Sequence, residues 1–240
     1  LLFLVFARAA AGSLAYVPLA EPHPLEALRA AVPERLRGLE GKVRYEMPDL
    51  ERADDDTLAL LLTAINDRRP ARFEYRDAQG RASQRSILPR RLVNYAGTWY
   101  CVAYDLDRAE LRTFKLSRAT SLSLDPSPRR EGPSEEEVDR FLASSYGMFK
   151  GRGALEARAR FYARAREIVR SELWHPDQER AEGIDPVRGP YVELALPVTR
   201  YDEILGRILR FGADAEAVGP PEFRELWKAE IRRMAGMVGT

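Results

Sequence analysis

Arginine and aromatic residues are interleaved through one segment of the chain, residues 68–118. Twelve residues of this segment are basic and five are acidic, an excess of seven positive charges, whereas the whole chain of 240 residues carries a net charge of +1. Eleven of the twelve are arginine, whose planar guanidinium matches phosphate and carboxylate better than the lysine ammonium does. The aromatic residues are Phe73, Tyr75, Tyr95, Trp99, Tyr100, Tyr104 and Phe114. Because guanidinium groups hold phosphates while rings stack on bases, the segment favours a nucleic-acid or nucleotide surface.

A second interpretation of the same segment stays open. If it forms strands, alternate side chains face inward, so about half of the aromatic rings must fill the core. Several arginines would then pair with Glu74, Asp77 or Asp105. The alternation also predicts that Arg112 and Arg118 lie on one face of a strand, with two apolar residues between them.

The hydrophobic pattern in this part of the chain predicts a helix followed by about five short strands. The run Asp54-Asp55-Asp56 is typical of a helix N-cap with acidic residues in the first turn, and apolar residues follow at helical spacing as far as Pro70. Strand-like alternation follows at residues 71–76, 83–88, 98–104 and 111–116, with residues 118–124 interpreted as a continuation of the last strand. This order indicates a small, strongly bent β-barrel.

The remainder of the chain predicts a separate α+β module. Residues 125–133 are rich in proline, serine and arginine, and Ser134 followed by three glutamates predicts the start of a helix. Further elements are a strand at 158–162, a helix at 163–173, a strand at 191–198 and helices at 201–211 and 221–238.

Composition excludes several kinds of site. The single cysteine, Cys101, rules out an internal disulfide, and with only two histidines a Cys/His zinc site is not expected. His175 precedes a proline and is interpreted as a turn residue, while Cys101, in the middle of a strand, is expected to be an inert buried thiol. We therefore expect no enzyme, no cofactor and no metal. No segment has the roughly 20 apolar residues of a membrane span, and we expect a cytoplasmic protein.

The segment resembles the WYL domain, a family named for a Trp-Tyr-Leu triplet whose third position is here Cys101. The motifs that carry the resemblance are Phe73-x-Tyr75-x-Asp77-x-x-Gly80, Arg85-x-x-x-Pro89, Gly97-x-Trp99-Tyr100, Tyr104-Asp105 and Leu111-Arg112-x-Phe114-x-Leu116-x-Arg118. The C-terminal part resembles the extension that follows WYL domains in many bacterial regulators, through Trp174-His175-Pro176-x-Gln178, Phe211-Gly212 and the last helix.

The resemblance implies an α+β protein with an Sm-like, SH3-type β-barrel followed by a ferredoxin-like extension. It also implies a dimeric transcription regulator whose WYL domain senses a ligand, in some members single-stranded DNA or another nucleotide. The ligand-facing positions of the family correspond here to Tyr75, Arg85, Tyr100, Arg112 and Arg118, with Trp99 as a core support.

The N-terminal part departs from the family pattern. Residues 1–52 show no convincing helix-turn-helix and agree better with a helical linker or dimerisation region. The chain starts without Met, in the middle of an apolar run, which favours a DNA-binding head that has been removed over one that never existed. We expect domains at 53–125 and 138–240, joined by a linker at 126–137.

These observations predict the effector-sensing part of a bacterial transcription regulator. A nucleic-acid or nucleotide ligand would bind the arginine and aromatic face and control a DNA-binding head on operator DNA, within a homodimer. The alternative is a non-catalytic module that mediates dimerisation or guides nucleic acid to another protein.

Overall fold

The computed structural model describes residues 54–126, 128–148, 150 and 155–238. The chain divides into two compact units, with the division between Pro133 and Ser134, inside the expected linker at 126–137. The expected helical region at 1–52 lies outside the described residues.

Helix α1 (Asp55–Asp67) opens the described part of the first unit. The side chain of Asp54 accepts a hydrogen bond from the backbone amide of Thr57 at 3.0 Å, so the N-cap predicted from the sequence is confirmed. Leu58 and Leu61 lie one turn apart on the helix and are buried in the core of the sheet.

Five antiparallel strands follow α1. Their bounds are β1 (Ala71–Arg76), β2 (Ala82–Tyr95), β3 (Thr98–Asp105), β4 (Glu110–Lys115) and β5 (Ala119–Leu124), in the sheet order β4-β3-β2-β1-β5. The expectation that residues 118–124 continue the fourth strand was wrong. A 3-10 turn at Leu116–Arg118 redirects the chain, and β5 pairs with β1 instead.

Strand β2 runs through Pro89, where the sequence predicted its end. The pairing with β3 shifts by one residue between Pro89 and Arg91, which is a β-bulge. Because of the extra residue, Arg91 lies opposite Val102 and Leu92 lies opposite Cys101, so Leu92 packs against the core.

The first sheet curls strongly. The ring of Phe114 on β4 lies 5.4 Å from the ring of Phe73 and 5.4 Å from that of Tyr75, both on β1. In the sheet order two strands separate β4 from β1, which would place them about 14 Å apart in a flat sheet. The strongly bent sheet predicted from the sequence is therefore present, and its closure into an Sm-like barrel remains a prediction.

The second unit begins with α2 (Glu135–Ala143), where Ser134 and Glu137 form a capping box as the sequence predicted. The elements that follow are β6 (Leu155–Tyr162), α3 (Ala163–Val169), β7 (Glu179–Asp185), β8 (Gly189–Val198), α4 (Asp202–Leu209), β9 (Ala215–Gly219) and α5 (Pro221–Val238). From β6 to β9 the chain follows the order β-α-β-β-α-β, with an antiparallel sheet in the order β7-β8-β6-β9. This is the topology of the expected ferredoxin-like fold.

Two strands of the second sheet were missed in the sequence. Strand β7 lies at one edge of the sheet and is almost entirely exposed, so it shows no alternation of apolar and polar residues. Strand β9, at the other edge, has five residues, among them two alanines and a glycine, which have low strand propensity. Among the described helices, none has the length and apolar composition that crossing a bilayer requires.

Candidate anionic-ligand site

Three charged residues from neighbouring strands share the inner face of the first sheet: Arg85 on β2, Asp105 at the end of β3, and Arg112 on β4. Arg85 and Ile87 are two residues apart and so lie on one face, and Ile87 is directly opposite Asp105. Ala103, two residues before Asp105, is directly opposite Arg112. The strand register therefore brings both arginines to the same carboxylate.

The two arginines approach Asp105 without a hydrogen bond to it. Asp105 Oδ2 lies 3.6 Å from Arg85 Nη1 and 4.0 Å from Arg112 Nε, distances of ion pairs rather than of good hydrogen bonds. The Asp105 side chain is fully buried, whereas that of Arg85 is 17% exposed and that of Arg112 is 36% exposed. Within the described part of the chain, Asp105 Oδ2 and Arg85 Nε are buried atoms without a hydrogen-bond partner. Because buried charged groups normally have such partners, the hydrogen bonding of this cluster is incomplete.

The other oxygen of Asp105 closes the turn between β3 and β4. Asp105 Oδ1 accepts hydrogen bonds from the backbone amides of Asp107, at 3.1 Å, and Arg108, at 3.2 Å. The backbone carbonyl of Asp105 also accepts a hydrogen bond from the amide of Ala109, at 2.8 Å. The turn therefore fixes the orientation of the carboxylate that faces the two arginines.

Arg112 has a second acidic partner in Glu110. Arg112 Nη1 donates a hydrogen bond to Glu110 Oε1 at 2.9 Å. Glu110 lies two residues before Arg112 on β4, and its side chain is 39% exposed. Arg112 thus contacts one fully buried carboxylate and one partly exposed carboxylate.

Tyr75 lies on the same inner face as the arginines, but its side chain packs against the core of the first unit. Its ring makes edge-on contacts with Phe73, at 5.9 Å, and with Phe114, at 5.4 Å. Its hydroxyl oxygen accepts a hydrogen bond from the backbone amide of Lys115 at 3.2 Å. Trp99 also packs against this core, as the sequence predicted.

The other two predicted site residues are not brought to the cluster by the strand pairing. Tyr100 alternates with Cys101, which is directly opposite the inward-facing Phe114, so Tyr100 lies on the other face of the sheet. Arg118 belongs to the 3-10 turn that follows β4, beyond the alternation that was expected to place it beside Arg112. Sequence reasoning did not include Glu110 among the site residues, and it considered Asp105 as a possible ion-pair residue and as part of the Tyr104-Asp105 motif, not as a site residue.

Part of the basic excess serves the structure. Arg72 Nε lies 2.5 Å from Asp125 Oδ2, which is buried, and Arg81 Nε donates to Asp77 Oδ2 at 2.8 Å. These pairs agree with the second interpretation of the segment, in which arginines pair with acidic residues of the protein. We therefore leave these paired arginines out of the candidate site, which consists of the arginines near Asp105.

Cys101 is a buried free thiol on β3. Burial raises the pKa of the Cys101 thiol to about 12, so the reactive thiolate is scarce at neutral pH. The expectation of an inert thiol agrees with this environment.

His175 lies in a turn, as the sequence predicted. The side chain is buried, and its Nδ1 accepts a hydrogen bond from the backbone amide of Asp177 at 3.1 Å. Gln178 closes the same turn, because its Oε1 accepts a hydrogen bond from the amide of Trp174 at 2.6 Å.

Comparison with known proteins identifies both units. A family model described as WYL domain matches residues 56–124, and one described as WCX domain matches residues 153–235. Protein PafB of Mycobacterium tuberculosis (strain ATCC 25618 / H37Rv) is 27% identical over 194 residues, which are 77% of this chain and 54% of that protein. Protein PafB of Mycobacterium leprae (strain TN) is 37% identical over 71 residues, 29% of this chain and 22% of that protein. The chain thus spans about half, or less, of the length of these curated relatives.

Two solved structures resemble the chain more distantly. Proteasome accessory factor B/C (PafBC) of Arthrobacter aurescens covers 84% of this chain and 29% of its own, with 18% identity and a TM-score of 0.35. A CRISPR Cas-related protein covers 77% of this chain and 52% of its own, with 13% identity and a TM-score of 0.46. At these TM-scores neither likeness assigns a fold or a function.

Proposed function

The chain belongs to the WYL-domain proteins and carries a WCX domain after its WYL domain, and we propose that it is the effector-sensing part of a bacterial transcription regulator. The effector is a nucleic acid or a nucleotide, and its phosphate groups bind at Arg85 and Arg112. The chain acts by binding, without catalysis, in the cytoplasm, where a regulator meets DNA.

One observation carries this proposal: two arginines from different strands face a single buried carboxylate to which neither is hydrogen bonded. A phosphate oxygen can accept from several N–H donors at once, and such charge-assisted hydrogen bonds are about twice as strong as neutral ones. A phosphate at Arg112, which is 36% exposed, would use donors that Asp105 leaves without a hydrogen bond.

A polyanion is favoured over a small acid by the surrounding charge. Arg108, in the turn after Asp105, is exposed, and no ion pair within the described residues engages its side chain. A second phosphate of a nucleic-acid strand could contact Arg108 while the first is held by Arg112. This arrangement fits a chain of phosphates better than a single carboxylate.

The regulatory step requires an effector that distinguishes two arrangements of the protein. A ligand with equal affinity for both arrangements would not change the equilibrium between them, however tightly it binds. We propose that occupation of the Arg85 and Arg112 cluster favours one orientation of a DNA-binding head, through which the regulator contacts operator DNA.

Fluorescence polarisation tests this proposal, with short labelled single-stranded DNA and RNA at low and moderate salt. Binding should weaken steeply with salt, because phosphate contacts release counterions. Arg112→Ala should lower the affinity about tenfold or more, the worth of a charge-assisted hydrogen bond.

The matched control is Arg81→Ala, which removes the same charge from an exposed turn of the same unit. Equal affinities for Arg112→Ala and wild type, with both variants folded by circular dichroism, would exclude the site. Equal losses in the two variants would mean that only net charge matters.

We also propose that the protein is a homodimer, and the last helix supports this. Helix α5 exposes a set of apolar side chains, namely Leu226, Ile231, Met234, Met237 and Val238. Monomeric proteins rarely expose large apolar patches, so the helix favours contact with a second copy. Light scattering should give the mass of a dimer for wild type and of a monomer for Met234→Glu. A monomeric wild type would contradict this proposal.

A further inference from the structure

We propose that Glu110 is an internal counter-anion of Arg112, which a phosphate of the effector replaces while Asp105 stays in place. This inference rests on the proposed function, because it describes how the same site is held before the effector arrives. It assigns opposite roles to two carboxylates that contact one guanidinium.

Asp105 is the fixed carboxylate of the two. It is fully buried, and its Oδ1 is held by the backbone amides of Asp107 and Arg108. Moving it would break both hydrogen bonds of the turn and leave Arg85 without its acidic neighbour. We therefore expect Asp105 to keep its position when a ligand binds.

Glu110 is the replaceable carboxylate. Its one described hydrogen bond joins Oε1 to Arg112 Nη1, and its side chain is 39% exposed. Exposed ion pairs contribute little net free energy, because water solvates both groups well when they separate. A phosphate brings more acceptor oxygens and more negative charge than the single Glu110 oxygen, so it can displace Glu110 from Arg112.

The observed affinity then depends on the difference between two interactions of Arg112, one with the phosphate and one with Glu110. Glu110→Gln keeps the size and the acceptor oxygen of the side chain but removes its charge. This variant should bind the effector more tightly, by about two- to fivefold, the range of an exposed ion pair.

The test uses the whole chain and a fluorescein-labelled oligo(dT) of about ten nucleotides, within the range of single-strand site sizes. The matched control is Glu74→Gln, which removes the same charge from β1. Glu74 alternates with Phe73 and Tyr75 and so lies on the other face of the sheet. We expect Glu110→Gln to bind more tightly than Glu74→Gln.

A double variant shows whether Glu110 acts through Arg112. If it does, Glu110→Gln should have little effect once Arg112 is absent. The affinity of the double variant Arg112→Ala/Glu110→Gln should then be no higher than that of Arg112→Ala/Glu74→Gln. Equal gains from the two glutamine variants in the wild-type background would overturn the inference in favour of a general charge effect. An unchanged or weaker affinity for Glu110→Gln would overturn it directly.

The two proposals fail in different ways. If wild type binds the probe and Arg112→Ala does not, but Glu110→Gln has no effect, only the exchange at Arg112 is wrong. If wild type does not bind the probe at low salt, the proposed phosphate site is wrong, and so is the proposed replacement of Glu110 by a phosphate.

Discussion

Arginine is compensated differently in the two units of the chain. In the C-terminal unit, Arg160 Nε donates to Glu193 Oε2 at 2.7 Å, and its guanidinium carbon lies 4.4 Å from the centroid of the Tyr191 ring. In the N-terminal unit, Arg85 and Arg112 share the buried Asp105 at 3.6 and 4.0 Å.

A second arginine of the C-terminal unit is paired in a similar way, although its buried Nε has no hydrogen-bond partner among the described residues. Arg207 donates hydrogen bonds to Glu172, at 3.0 Å, and to the Tyr146 hydroxyl, at 3.2 Å, and its guanidinium carbon lies 4.0 Å from the centroid of the Trp174 ring. Such arginines hold their own unit together, because their charge and their planar face both have a protein contact. The contacts of each arginine therefore distinguish a structural arginine from a candidate ligand-binding arginine better than the number of arginines does.

The largest effect is expected from removing the shared carboxylate. Asp105→Ala should lower the free energy of unfolding by about 3 kcal/mol, since it leaves the mostly buried Arg85 without its acidic neighbour and the turn without its cap. Urea denaturation followed by circular dichroism measures this loss.

The control for that measurement is Asp77→Ala. Asp77 caps the turn between β1 and β2 in the same manner, accepting from the backbone amides of Gln79 and Arg81, but it lies at the surface. Its removal should lower the free energy of unfolding by much less than Asp105→Ala does, because water can replace the lost hydrogen bonds at the surface. Equal losses from the two variants would show that Asp105 matters only as a turn residue.

A smaller effect, on stability alone, is expected from Arg160→Ala. Since Arg160 belongs to the other unit and is not part of the candidate site, its loss should leave the affinity for labelled single-stranded DNA within about twofold of wild type, far from the tenfold loss expected for Arg112→Ala. Polarisation titrations of the two variants at one salt concentration make the comparison. A tenfold loss in Arg160→Ala would contradict the assignment of the ligand site to the arginines beside Asp105.

The smallest effect concerns Tyr162, whose hydroxyl donates to Glu216 Oε1 at 2.5 Å. Burial, with the hydrogen bond to Glu216, raises the pKa of Tyr162 from its ordinary value of 10.0 to about 12. The unfolded chain ionises first, so this contribution to stability is complete below pH 10 and is lost as the pH rises toward about 12.

Tyr162→Phe should therefore lower stability by about 1 kcal/mol at neutral pH and by less above pH 10. Urea denaturation of both proteins at several pH values measures the difference in their free energies of unfolding. The ionisation of the other tyrosines affects both proteins equally and cancels in this difference. A difference that does not change with pH would contradict a raised pKa of Tyr162.

Local chemistry made much of the fold predictable. The N-caps at Asp54 and Ser134 depend on the side chain and three following residues, and both were predicted. Strands with clear alternation, such as β1, were predicted within a residue or two. The edge strands β7 and β9 have no such signal, because one is exposed on both faces and the other is short and alanine-rich.

The candidate site was predictable only in part, because it depends on which strands pair. Arg85 and Arg112 were proposed through the family resemblance, and the register brings them together. Tyr100 was proposed with them, but alternation within one strand does not show which of its faces is turned toward the neighbouring arginines. The role proposed for Glu110 rests on the contact of its side chain with Arg112, which sequence spacing alone left open.

The bulge in β2 has a consequence for the alignment of homologous chains. With the extra residue between Pro89 and Arg91, both Pro89 and Leu92 face inward, although they are three positions apart. Deletion of Arg90 would remove the bulge and restore strict alternation without turning the strand over, because Arg91 would still lie opposite Val102 and Leu92 opposite Cys101. A gap of one residue placed at Arg90 in an alignment would therefore preserve core and surface positions as far as Tyr95, whereas the same gap placed after Arg91 would exchange them for the rest of the strand.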